Sequence, residues 1–260
     1  MLDFLLSLPR FALILLLALV FNIFSQSFLF IIHKYSLRGY LKGNETGSFT
    51  SAINGIFSII IAFVFIGVWQ SHSNVNSIVL QEAELILDIN TNINGYEENQ
   101  KKIAVVAFHD YVEEVIYKEY DSIILKDKQD INAIKKLNTF NNIILAYEPK
   151  TNGQLALQQE MLKLMTEYKN IRQERCNNNQ PLIANILWEV LIFISLLFVI
   201  LLCFSDVENY KVHAFLLFIF SCSISTIFAL LILYDRPFSG PEAINYHYLK
   251  DAYEIYIKVK

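Results

Sequence analysis

Ser51 to Asp88 constrains this chain more than any other stretch. Its first half, SAINGIFSIIIAFVFIGVW, runs for 19 residues without a charge and ends at Trp69. At ~1.5 Å rise per residue, a helix of that length nearly covers the ~30 Å hydrocarbon core of a bilayer. The second half, QSHSNVNSIVLQEAELILDI, holds no Gly or Pro to stop a helix. Ile78, Val79, Leu85, Ile86 and Ile89 keep one side apolar, while Gln81, Glu84 and Asp88 fall elsewhere. The pattern predicts a membrane helix that runs unbroken into a soluble one. Steps of three and four pick out Asn54, Ser58, Ile61, Phe65, Val68, His72, Val75, Val79, Glu82 and Ile86. That stripe is polar at one end, aliphatic and aromatic in the middle, and carboxylate-bearing beyond. It suits the wall of a pore or a signalling stalk, with Asn54, Ser58, Ile61, Phe65 and Glu82 as candidate lining residues. Plain packing against neighbouring helices is the alternative.

Three further apolar runs join it. Phe11 to Ile32 is charge-free and longer than the ~7–15-residue core of a secretory signal. Asn22, Ser25, Gln26 and Ser27 interrupt it, so some of them must face protein or water. Leu182 to Phe204 and His213 to Tyr234 are separated only by the short connector SDVENYK, which makes them antiparallel neighbours. Only 18% of the 260 residues are charged, against ~25% in soluble domains, and the net charge of −4 offers nucleic acid no basic face.

The expected fold is therefore all-α, with four membrane spans and a helical soluble domain inserted between spans 2 and 3. Residues 1–69 hold the first two spans (about 11–32 and 51–69), 70–180 the soluble domain, 181–234 spans 3 and 4, and 235–260 a tail. In the soluble region, helices are expected to about Ile93, from Glu97 to about Leu125, from Asp130 to Tyr147 and from Gln154 to Cys176. Pro181 marks re-entry into the membrane. Lys34, Arg38, Lys42 and Lys211 on the loop side nearly balance Arg10, Lys169, Arg172, Arg175 and Arg236 opposite, so charge alone assigns no orientation.

Catalytic patterns are missing: there is no G-x-S-x-G, no phosphate-cradling Gly loop and no H-E-x-x-H. The three cysteines have no metal or disulfide spacing, and the five histidines are scattered. No enzyme, cofactor or resident metal is expected. The acidic set Glu97, Glu98, Asp110, Glu113, Glu114, Glu119 and Asp121 reads as a solvated helix face. Glu189 stands out inside span 3, where an anion facing lipid costs ~2.5–3.5 kcal/mol, so it belongs near the interface or against water. Trp188 beside it fits an interfacial belt. At the end of span 4, Asp235-Arg236-Pro237-Phe238 forms a corner, because Pro237 pushes Arg236 towards extended backbone. We expect Arg236 to meet a carboxylate and Phe238 an apolar slot in the soluble domain.

These landmarks also carry a resemblance. Trp69, Glu82-Ala83, Tyr111-Val112, Glu119-Tyr120, the segment from Arg172 through Pro181 to Trp188, and LYDRPFSG ending at Gly240 occur in the order seen in the bestrophin-like domain family. The chain resembles that family over roughly Gly47 to Gly240, although Tyr234 stands where a small residue is common. The resemblance implies a distant relation to bestrophins, oligomeric anion channels with four membrane helices per subunit and a cytosolic helical domain. Their second helix lines an aromatic and aliphatic neck, a part for Ile61, Phe63 and Phe65 here. The acidic calcium clasp of animal bestrophins has no counterpart. The function expected is thus an oligomeric ion channel, with anion conduction implied by the resemblance and span 2 along the pathway. The rival is a membrane-anchored signalling or interaction protein that encloses no pore. The partners expected are further copies of the chain, lipid and inorganic ions. The place expected is a bacterial inner or plasma membrane, with the helical domain and both termini on the cytoplasmic side.

Overall fold

The computed structural model describes residues 5–35, 44–120, 130–205 and 207–257. Arg38, Lys42, Asp121 and the expected end of the second soluble helix at Leu125 lie outside them. Among the described residues the chain is helical and has no strand. The helices are α1 (Arg10–Lys34), α2 (Asn44–Ile93), α3 (Glu98–Glu114), α4 (Ile131–Leu145), α5 (Asn152–Asn177), α6 (Asn185–Cys203), α7 (Tyr210–Asp235) and the short α8 (His247–Asp251). Two widened π turns extend α3 (Val115–Glu119) and α8 (Ala252–Ile257). Four helices, α1, α2, α6 and α7, are long and apolar enough to cross a membrane.

Local chemistry explains the boundaries. α1 starts directly after Pro9, whose fixed φ suits a helix entry. Asn209 opens α7 by accepting from the Lys211 N–H at 2.9 Å, and Asp130 opens α4 by accepting from Asn132 at 2.9 Å. Thr151 and Gln154 form a reciprocal capping box at the head of α5. α2 has no such interruption and runs for 50 residues.

The chain divides into two compact units. The first comprises Met1–His72, Pro181–Arg236 and Gly240–Glu242. In it α1 lies along α7, with Phe21 and Phe228 in ring contact at 5.4 Å. Phe57, Ile61 and Val68 of α2 are buried in a cluster with Phe198, Ile224 and Phe228. Phe57 and Phe198 stack at 5.3 Å. Three polar residues of α1 find partners on α7: the Ser25 hydroxyl meets Ser221 at 2.8 Å, Gln26 donates to the Ala214 carbonyl at 2.9 Å, and Asn22 donates to Cys222 Sγ at 3.4 Å. Without water, hydroxyls and amides bond across helices or stay unsatisfied, so these contacts fix how α1 and α7 meet.

The second unit comprises Ser73–Gln180, Pro237–Ser239 and Ala243–Lys260. Its core takes Val75, Val79, Ile86, Ile89 and Ile93 from α2, with Phe108, Tyr111, Val112 and Val115 from α3 and its extension. Phe140 and Ile144 of α4 and Met161, Met165 and Tyr168 of α5 complete it. Fully burying each large apolar side chain contributes ~1.5–3 kcal/mol, so a core of this breadth is the main reason the unit holds together.

Candidate functional site

Two groups of residues could carry function, and the first is the membrane part of α2. Its expected lining residues divide by burial. Asn54 and Ser58 are exposed, Phe65 is half-buried, and Ile61 is buried against the other spans. Phe63 and Ile66 are exposed too, at 73% and 47%, and neither Gly55 nor Gly67 has a heavy atom near its missing Cβ. The outward face of α2 thus runs through Asn54, Ser58, Ala62 and Ile66. Ile61 sits behind it and supports the helix from within. Trp69, at 54% exposure, closes the apolar stretch. Glu189 is exposed in the second turn of α6.

The second group is a charged cluster in the core of the helical unit. Glu82 is fully buried within the helical unit. It faces Arg175 of α5, which donates from Nε to Oε2 at 2.5 Å and from Nη2 to Oε1 at 3.1 Å. Arg175 also donates from Nη2 to Glu119 Oε2 at 2.9 Å, and Arg172 pairs with the other oxygen of Glu119. Tyr168 reaches Glu82 at 3.4 Å and shares a 2.5 Å hydrogen bond with Tyr111. The Arg175 guanidinium lies over the Tyr120 ring, 4.6 Å from its centroid. Two cations and two anions balance, the condition for charges to persist out of water.

Three elements bring these groups together. Glu82 lies on the inward side of α2, a turn before Ile86. Arg172 and Arg175 stand one turn apart on α5. Glu119 and Tyr120 stand at the end of the π turn, and both side chains are buried in the core. Burial pushes the Tyr111, Tyr120 and Tyr168 hydroxyls well above their ordinary range. Burial works to lower the Arg175 guanidinium, but Glu82, Tyr120 and Glu119 outweigh it and hold it higher still. The arginines stay charged and the tyrosines neutral across physiological pH, which makes the cluster a fixed clamp on the rotation of α2.

The expectation of a solvated acidic face fails for two of its members. Glu119 is enclosed in the clamp, and Glu114 is buried beneath Lys118 and Lys136, at 3.1 and 2.7 Å. For Glu119 the helical pattern did contain this signal, since it follows Tyr111 and Val115 by eight and four positions and so falls on their side. The Arg172–Arg175 pair was overlooked as chemistry because each arginine reads alone as a surface charge.

The corner after α7 has its own geometry. Asp235 is buried and accepts from the Ile183 N–H at 2.7 Å, while its carbonyl accepts from Leu182 at 2.8 Å. It therefore anchors the approach to α6. Arg236 is extended (φ −120°, ψ 102°), as a residue before Pro237 should be. In the helical unit, Phe238 is buried edge-on to Tyr120, and the Pro237 carbonyl accepts from Ile244 at 2.7 Å. In the membrane unit, Gly240 has φ +90°, a conformation a side chain would strain, and Leu6 Cδ2 lies 2.9 Å from where its Cβ would be. Arg10 pairs with Glu242 at 2.5 Å, and His72 donates from Nε2 to the Glu242 carbonyl at 3.1 Å.

A family model described as the Bestrophin-like domain matches residues 23–248 of the chain. No curated protein and no solved structure matches the chain.

Proposed function

The chain belongs to the Bestrophin-like domain family, and from that premise we propose that this integral membrane protein is one subunit of a homo-oligomeric ion pore whose pathway runs along the outward face of α2. One observation carries the proposal. Asn22, Ser25 and Gln26 of α1 bond to α7, whereas Asn54 and Ser58 of α2, like Ser27 of α1, are exposed within an apolar span. A lipid-facing amide is costly, so this face meets water or another copy of the chain. Phe65, at the edge of that face, is the constriction, and an apolar ring of such residues gates by excluding water. Ile61 and the Glu82 clamp hold α2 in place behind it. Anion conduction rests on the family's likeness to bestrophins. So do the bacterial inner or plasma membrane and the cytoplasmic placement of the helical unit.

Purified protein in planar bilayers tests this. Currents are expected, with Phe65→Ala raising conductance or leak several-fold and Ser58→Leu abolishing it. Silence across salts and voltages, with an intact oligomer present, would replace the pore with a signalling or interaction role.

A further inference from the structure

α2 carries no lysine or arginine between Thr50 and Ile93. Its acidic residues over that length are Glu82, held in the buried clamp, and then Glu84 and Asp88. From Ile66, steps of four and three lead along the helix through Gln70, Ser73, Ser77, Gln81, Glu84 and Asp88, and every one of these is exposed. Residues so spaced share one side of a helix. The face assigned to the pathway therefore continues as a polar, uncharged run and ends on two carboxylates one turn apart. Among the described residues neither joins an ion pair, whereas Glu98 and Glu114 pair with Lys102 and Lys118. In the groove beside them α5 adds Glu160 and Glu167 against one lysine, Lys163, which Glu160 holds at 3.6 Å. Four carboxylates thus face one ammonium group, and the surface next to this side of α2 is net negative.

We propose that Glu84 and Asp88 set the ion preference of the α2 pathway, and that the preference is for small cations. The proposal rests on the pore reading above and names the substrate class of the same site. The charges on α2 point away from the anions that the family's likeness implies. Walls of one charge concentrate the opposite ion, and rings of Asp or Glu mark cation pathways as rings of Arg or Lys mark anion pathways. In a ring each copy contributes both carboxylates, so the charge multiplies with subunit number. Both side chains are exposed and hydrated, so they hold no ion in place. They act through the potential, which salt screens over about 8–10 Å, and the preference is strongest at low ionic strength.

Purified full-length protein in bilayers of uncharged lipid, under a KCl gradient, tests this. Wild-type currents should reverse towards the potassium equilibrium potential, and less so when salt is raised on both sides. Glu84→Gln with Asp88→Asn should cut the permeability ratio of potassium over chloride several-fold. Glu84→Lys with Asp88→Lys should invert it. Since both positions are exposed, thermal stability and oligomer size should match wild type, which separates selectivity from misfolding. Glu98→Gln, an exposed carboxylate on α3, should leave the ratio unchanged. Anion-selective wild-type currents would overturn the proposal and leave the pore standing. Cation-selective currents indifferent to both α2 carboxylates would overturn the assignment to these residues. Silence from an intact oligomer would remove the pore reading itself, and the proposal with it.

Discussion

The two units hold polar groups in their interiors by different chemistry. In the membrane unit the contacts between α1 and α7 are neutral and slight: a hydroxyl on a hydroxyl, an amide on a carbonyl, an amide on a thiol. In the helical unit the interior encloses four formal charges from Glu82, Glu119, Arg172 and Arg175. The solvent outside accounts for the contrast. Apolar burial drives the helical unit together with kilocalories to spare, so it can carry a costly charged cluster that fixes one register. Between membrane helices that drive is absent, because lipid is as apolar as the helices, and small polar contacts with close packing must suffice.

Substitutions at each site sharpen that comparison. Arg175→Ala should be the most damaging, since it strands Glu82 and half of Glu119 in the core. A loss of about 3–5 kcal/mol is expected, read as a collapse of thermal stability or yield. Arg175→Met combined with Glu82→Leu should recover most of it, because an apolar pair leaves no unpaired charge. If Arg175→Ala alone melts like wild type, the clamp has no structural role.

Glu114 gives an intermediate case with a pH dependence. Burial works to raise its carboxyl, and Lys136 and Lys118 outweigh it, so the folded value lies below the ordinary one. Its contribution is then complete above the unfolded value of ~4.3 and disappears as pH falls through the folded value. Glu114→Gln should cost about 1 kcal/mol at neutral pH, because both lysines are partly exposed, and should flatten the acid limb of the stability curve. An unchanged acid limb would assign acid loss to other carboxylates. The smallest effect belongs to the membrane unit. A double-mutant cycle on Ser25→Ala and Ser221→Ala should give a coupling of only ~0.6 kcal/mol. A coupling several times larger would erase the contrast between the units.

Much of the fold was legible because its signals are periodic and local. The spans, the unbroken passage through Gln70 to Ile93, the stop near Gly95 and the extended Arg236 before Pro237 all follow from spacing and from proline chemistry. The site was legible only in outline. A helical stripe such as Asn54–Ser58–Ile61–Phe65 shows which residues share a side, but the side that meets neighbours emerges from tertiary packing. Hence Ile61 turned inward while Asn54 stayed outside. Glu82 and Glu119 could not be read as partners either. They are 37 positions apart in sequence, and Arg175 joins them from another helix.

The contact of Leu6 with Gly240, beside the Arg10–Glu242 pair, bears on biogenesis. The lead before α1 emerges from the ribosome early, yet its docking partners are synthesised more than two hundred residues later. Until then α1 has neither Ser221 nor Ala214 to satisfy its polar side chains, so a chain arrested in mid-synthesis presents an incomplete, polar-faced helix to the insertion machinery. Closure of this contact therefore requires that α7 has already been made.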